Sequence, residues 1–202
     1  MKTNIYCCGM YRSGSTVIYN ILQKLIEHHN LQVQLYKVHQ EWNRDRVDPS
    51  FSIYSYRDIR DVCISFMQKD KMTFESFKIH NWDIVEFCKK MINYDQLVKH
   101  YKKDDAKVLI LKYEEDVIGN DVVPLCIKIS DFLELPNTTC CDIGKQFSLK
   151  VVKKYCDTLK TLDRKSGFWP GHAHDGKSGK YKEILTSTQL LHLYKNTDLK
   201  NG

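Results

Sequence analysis

The chain has 202 residues, 42% of them hydrophobic and 28% charged, which is ordinary for a globular protein. This length is enough for one domain with its own core, and we read residues 1–202 as a single unit. Nine glycines and four prolines exclude a collagen-like or linker-dominated chain. Thirty-one Lys and Arg against 25 Asp and Glu leave a formal charge of +6, which suits an anionic ligand. The basic runs Lys153-Lys154 and Tyr101-Lys102-Lys103 are too short for a nucleic-acid tail, and no nucleic-acid partner is expected. No run reaches the roughly 18 apolar residues of a membrane span, and no membrane partner is expected. Met1–Tyr6 lacks the apolar core and cleavage site of a secretory signal, so the expected location is cytoplasmic. Eight cysteines include two adjacent pairs but no Cys-x-x-Cys. They read as free thiols in a reducing compartment.

In chain order, Asn4–Cys8 is a short apolar strand ending at Gly9. Val17, Ile18, Ile21, Leu22, Leu25 and Ile26 then form a helical stripe starting near Ser15. Val33–Val38 and Phe51–Tyr56 read as a second and third strand. Asp58 is placed to cap a helix that carries Ile59, Val62, Cys63, Phe66 and Met67 on one face. A longer helical region is expected over 74–101, then a buried strand at Lys107–Lys112, then helices near 118–133 and 140–155. The segment Thr161–Tyr181 holds four glycines, a proline and few apolar residues. It reads as a long loop and a candidate lid. Strands alternating with helices predict an α/β fold, a central parallel sheet in a three-layer α/β/α arrangement. Such sheets bind ligands beyond the carboxyl ends of their strands. Gly9–Thr16, His39 and Arg57 all fall at such ends.

Gly9-Met10-Tyr11-Arg12-Ser13-Gly14-Ser15-Thr16 follows a strand and opens a helix, so its backbone N–H groups can cradle an anion. The spacing is that of the nucleotide-binding P-loop, but Ser15 stands where that loop carries its lysine. The lysine neutralises β- and γ-phosphates, so an ordinary kinase or NTPase is disfavoured; Arg12 supplies a cation three residues earlier. A plainer reading is a helix start capped by Ser13 or Ser15. Tyr56–Ser65 adds Arg57 at a strand end and Ser65 about two helical turns later. Its plainer reading is a capped surface helix with Arg60 and Asp61 paired. In Lys37-Val38-His39 the alternation of a strand puts Lys37 and His39 on one face.

Arg12-Ser13-Gly14-Ser15-Thr16 resembles the phosphosulfate loop of the sulfotransferase family. Arg57-Asp58-Ile59-Arg60-Asp61-Val62-Cys63-Ile64-Ser65 resembles the family's 3′-phosphate motif, with Ile59 in place of its proline. Lys37-Val38-His39 resembles its Lys-x-His, and Tyr113-Glu114-Glu115 its strand-end Tyr-Glu-Asp. Gly171–Lys182 is similar to the Gly-rich basic loop that closes over the 3′-phosphate, although His174-Asp175 replaces the Arg-Lys often found there.

The resemblance implies a P-loop-like fold and the donor 3′-phosphoadenosine 5′-phosphosulfate (PAPS), with adenosine 3′,5′-bisphosphate (PAP) as product. It implies transfer of a sulfuryl group to a hydroxyl or amine of a small-molecule or glycan acceptor. His39 would be the general base, and Lys37 and Arg12 would neutralise developing charge. Arg12, Ser13, Gly14, Ser15 and Thr16 would hold the 5′-phosphate, Arg57 and Ser65 the 3′-phosphate, and Tyr113 would lie near adenine. No metal is implied. Val17 replaces the aromatic that often stacks on adenine, leaving Phe147 and Phe168 as candidates. A P-loop kinase with a displaced cation would need carboxylates for its metal, from Glu114, Glu115 and Asp116. That reading, and a non-catalytic nucleotide-binding protein, stay open.

Overall fold

The computed structural model describes residues 3–38, 51–101, 107–117, 119–171 and 177–199. Four strands form one parallel sheet: β1 (Thr3–Gly9), β2 (Val33–Val38), β3 (Phe51–Tyr56) and β4 (Val108–Lys112), in the order β2-β1-β3-β4. The first strand lies inside the sheet, and its two neighbours leave in opposite directions. A crevice opens at that switch between β1 and β3, where α/β sheets bind ligands. Cys8 pairs with Val38 and Gly9 with Ser55, so the carboxyl ends of β1, β2 and β3 lie level.

Both faces of the sheet are covered, as parallel sheets require. On one face Ile5, Cys7, Ile53 and Leu111 meet Ile18, Ile21, Leu22 and Leu25 of α1 (Ser15–His28). The same layer takes in Leu125, Cys126 and Ile129 of α4 (Val123–Phe132) and Cys140 and Ile143 of α5 (Cys140–Gln146). On the other face Tyr6, Cys8 and Tyr54 meet Val62, Cys63 and Phe66 of α2 (Ile59–Asp70). Phe87, Cys88 and Met91 of α3 (Ile84–Tyr101) and Leu193 of α8 (Ser187–Asn196) complete that layer. The alternation Ile5/Cys7 against Tyr6/Cys8 is the period-2 pattern of a strand buried on both sides. This is the expected α/β/α sandwich. Among the described residues no helix is long and apolar enough to cross a membrane.

Several boundaries differ from the sequence expectation. The helix expected from residue 74 starts at Ile84, because Asp83 Oδ1 accepts from the N–H groups of Val85 and Glu86. Ahead of it, His80 and Asn81 both have positive φ in a tight turn closed by the Ile79–Trp82 bridge. The helix expected near 118 starts at Val123, with Pro124 in its first turn. The helix expected over 140–155 is two. Ser148 is extended, so α5 stops at Gln146 and α6 runs over Leu149–Thr158. The short α7 (Tyr181–Ile184) and α8 were not expected. Yet Thr186 and Gln189 form a full capping box, a pattern visible in the sequence. All eight cysteines are free thiols, and only Cys141 is exposed.

Candidate active site

The turn after β1 is built by close packing. A Cβ on Gly9 would lie 2.2 Å from Ser15 Cβ, so only glycine lets the strand end pass under α1. Gly14 has φ +81° and abuts Val117 and Tyr113, and it is the residue before α1. Neither Ser13 nor Ser15 caps that helix. Instead Ser13 Oγ donates to Met10 O at 2.6 Å and sits 2.7 Å from Ser55 Oγ, pinning the turn to β3. The N–H groups at the start of α1 are therefore left without a side-chain cap, as an anion cradle requires.

Three cations converge here. Arg12 takes a left-handed backbone (φ 58°), and its Nε donates to Ser65 Oγ at 2.8 Å. Burial, then the neighbouring Arg57 charge, pull the Arg12 guanidinium down to about 10. Arg57 leaves the end of β3 and stacks over the Tyr113 ring at 4.2 Å. Its Nη2 donates to Lys177 O at 3.0 Å and its Nη1 to Arg12 O at 3.3 Å. Its Nε is buried and has no hydrogen-bond partner among the described residues. Lys37 at the end of β2 places Nζ 2.8 Å from Thr16 Oγ1, and burial lowers its pKa. Two adjacent guanidinium groups, one with an orphaned buried donor, form a site short of negative charge.

Arg12 and Arg57 open onto one cleft of about 880 Å³, counting the solvent at its mouth. Arg12, Gly14, Thr16, Arg57, Ser65 and Tyr113 all line it, and Lys37, which does not, is joined to it through Thr16; Ser13 and Ser15 do not line it. Arg57 and Ser65, eight residues apart, both line it, and both are hydrogen-bonded to Arg12. Its apolar end is walled by Val17, Val122, Phe147, Val152 and Phe168, which puts both candidate adenine-stacking rings there. Tyr113 and Val117 are held by a single π-helical turn, Tyr113–Val117, a local irregularity common at functional sites. His39 lies outside the described residues, as do His174 and Asp175.

The plainer reading of α2 fails. Arg60 pairs with Asp58 and not with Asp61: Nε to Oδ1 at 2.9 Å and Nη2 to Oδ2 at 2.6 Å. Arg60 also lies over the Tyr181 ring at 4.0 Å. Asp58 caps the helix as expected, accepting from the Arg60 N–H. Asp61 is fully buried and accepts from the 178–181 segment, a role the sequence reading missed. Lys177 and Lys180 line the cleft as well. Of the carboxylates a metal-dependent kinase would need, Glu114 Oε1 accepts from Asp58 N, Glu115 from Lys112 and Asp116 from Lys128, while the buried Glu114 Oε2 has no hydrogen-bond partner among the described residues. The segment after α6 also reaches the site. Ser166 O accepts from Asn20 of α1 at 2.8 Å, and a Cβ on Gly167 would lie 3.0 Å from Lys37 Nζ.

Fold and site thus define an α/β protein with a cationic, P-loop-like anion cleft that lacks the P-loop lysine. The sulfotransferase domain model matches residues 52–197, and the chain belongs to that family. The match begins after the Gly9–Thr16 loop and Lys37; similarity of fold covers those elements too. A crystal structure of retinol dehydratase with androsterone and the inactive cofactor PAP superposes with a TM-score of 0.66 at 15% identity. The alignment covers 100% of this chain and 83% of that one. Mouse sulfotransferase SULT7A1 complexed with PAP gives 0.65 at 14% identity, over 97% of this chain and 83% of that one. Retinol dehydratase with retinol and PAP gives 0.66 at 14% identity, over 100% and 84%. Among curated protein sequences none matches.

Proposed function

We propose that this chain is a PAPS-dependent sulfotransferase acting on a hydroxyl or amine, with His39 as its general base. One observation carries the reading. Arg12 and Arg57 are buried side by side, and the Arg57 Nε has no partner among the described residues. A dianion between them would neutralise both charges and take up that donor. The similar fold of three PAP complexes supports the choice of ligand, and the donor supplies an activated sulfuryl group on a 5′-phosphate.

In this reading the N–H groups of residues 13–16 hold the 5′-phosphate at the start of α1. Arg57 and Ser65 hold the 3′-phosphate, and Tyr113 and the apolar wall bound the adenine. Lys37 and Arg12 stabilise charge as it shifts to the bridging oxygen, and such preorganised cations are often the largest catalytic contribution. His39 takes the proton of the acceptor O–H or N–H as the new bond to sulfur forms, the general-base role that histidine fills most often. The acceptor class we propose is a small molecule or glycan; androsterone and retinol sit in two of the similar structures. We further propose that residues 1–202 act as one domain, that 161–181 covers the cleft, and that the protein works in the cytoplasm. Eight free thiols agree with a reducing compartment.

The test is transfer of ³⁵S from labelled PAPS to a panel of phenols, alcohols, amines and saccharides. A labelled product from the native protein, and its near loss in His39→Ala, is expected. Transfer of the γ-phosphate of labelled ATP with Mg²⁺, and none from PAPS, would reinstate the kinase reading.

A further inference from the structure

The segment Lys177–Tyr181 is sewn to α2 along one face of that helix. Asp61, Ser65 and Gln68 follow each other at spacings of four and three, so they share a stripe, and all three line the cleft. Asp61 Oδ2 accepts from Gly179 N at 2.6 Å and from Ser178 Oγ at 3.3 Å, while Oδ1 accepts from Tyr181 N at 3.2 Å. Gln68 Oε1 accepts from Lys180 Nζ at 3.3 Å. The segment is therefore fastened on both sides of Ser65. Its other edge is tied by the Arg57 Nη2 bond to Lys177 O. Tyr181 is buried beneath the Arg60 guanidinium.

A carboxylate in a cleft that collects anions is an electrostatic liability, and Asp61 is only 1% exposed. The arrangement makes sense if its charge is used up. Two backbone N–H groups and a hydroxyl point at it, and it sits in the first turn of α2, where the helix dipole favours a negative charge. Spending a buried carboxylate on three donors of one short segment fixes that segment before any ligand arrives.

We propose that Asp61 is a positioning residue: it holds 177–181 in the ligand-free protein as a preformed wall of the pocket that selects the 3′-phosphate. The inference rests on the donor reading above and adds to it the residue that sets selectivity without touching the donor. The segment cannot assemble this wall by local propensity, since residues 177–180 carry no regular secondary structure and only Tyr181 belongs to the single-turn α7. Its order comes from α2, about 120 residues earlier in the chain.

Asp61→Asn tests this, since it keeps the size but turns one acceptor oxygen into a donor facing donors. In the ligand-free variant, amide hydrogen exchange at 178–181 is expected to quicken about tenfold or more, with α2 itself unchanged. Calorimetry is expected to show adenosine 3′,5′-bisphosphate weakened about 10–100-fold, the range for charge-assisted hydrogen bonds, with 5′-AMP within about twofold. Asp61→Glu, which keeps the charge, is expected to recover part of that selectivity. Should Asp61→Asn fail to fold, Ser178→Ala removes one donor and should show the same signs at about twofold to threefold size. Unchanged exchange in a folded Asp61→Asn would overturn the clamp. Faster exchange with equal weakening of both nucleotides would reduce Asp61 to a fold contact and overturn its role in selectivity. A native protein that binds neither nucleotide would instead sink the donor reading, while the exchange result would still decide the clamp.

Discussion

The two anion-binding halves of the cleft meet at the Arg12–Ser65 hydrogen bond and are made in different ways. At the Gly9–Thr16 end the backbone does the work: a strand end, a tight turn and a helix start lie within eight residues, and glycine permits the close approach. At the Arg57–Ser65 end side chains do it, and their partners come from the far end of the chain, at Lys177, Gly179 and Tyr181. A local anion cradle is fixed as soon as its strand and helix form. A long-range one is only as good as the contacts that hold its loop. In the proposed reading the first holds the phosphate every nucleotide shares, and the second the phosphate that distinguishes the donor.

Proton removal from the acceptor belongs to neither of them. His39→Ala should cut turnover roughly 10²–10⁴-fold, the usual share of a general base, and leave bisphosphate affinity nearly intact. Steady-state rates beside calorimetry check this, and a near-native rate would remove His39 from its role. Arg57→Ala should weaken adenosine 3′,5′-bisphosphate by about 10–100-fold and 5′-AMP far less, through loss of charge-assisted hydrogen bonds. Equal losses would erase the distinction between the two ends.

Gly9→Ala attacks the other end. The new methyl would lie 2.2 Å from Ser15 Cβ, an atom that cannot move away without shifting the start of α1. Overpacking of this kind costs about 1–3 kcal/mol, read as a lowered unfolding midpoint, and both nucleotides should weaken together. The smallest effect is that of pH. Arg12 is pulled down to about 10 by burial and by Arg57, and burial lowers Lys37. Each is cationic below its pKa, so affinity for the bisphosphate should be full near neutrality and fall as pH rises through that range. A bound anion raises both values, so binding at alkaline pH should take up protons. Calorimetry in buffers of different ionisation enthalpy measures this, and proton release would contradict it.

The same division explains how much the sequence disclosed. The strands, α1, the Gly9–Thr16 turn and the Asp58 cap are local, carried by periodicity and by residues adjacent in sequence, and they were legible. So were Arg57, Ser65 and Lys37 as cations and hydroxyls at strand ends or on the helix that follows. Asp61 was misread because its partners lie in a loop whose contacts leave no periodic trace. The break at Ser148 was missed because the apolar residues on either side of it continue a helical stripe, and a single extended residue interrupts that stripe without changing it. The capping box at Thr186 and Gln189 was readable and was overlooked.

The central claim is best tested by calorimetric titration of the purified protein with adenosine 3′,5′-bisphosphate, beside 5′-AMP and ATP with Mg²⁺. The account predicts bisphosphate binding in the micromolar range, on the order of 8 kcal/mol, with the other two at least tenfold weaker. A preference for ATP with Mg²⁺, or equal affinity for 5′-AMP and the bisphosphate, would contradict it.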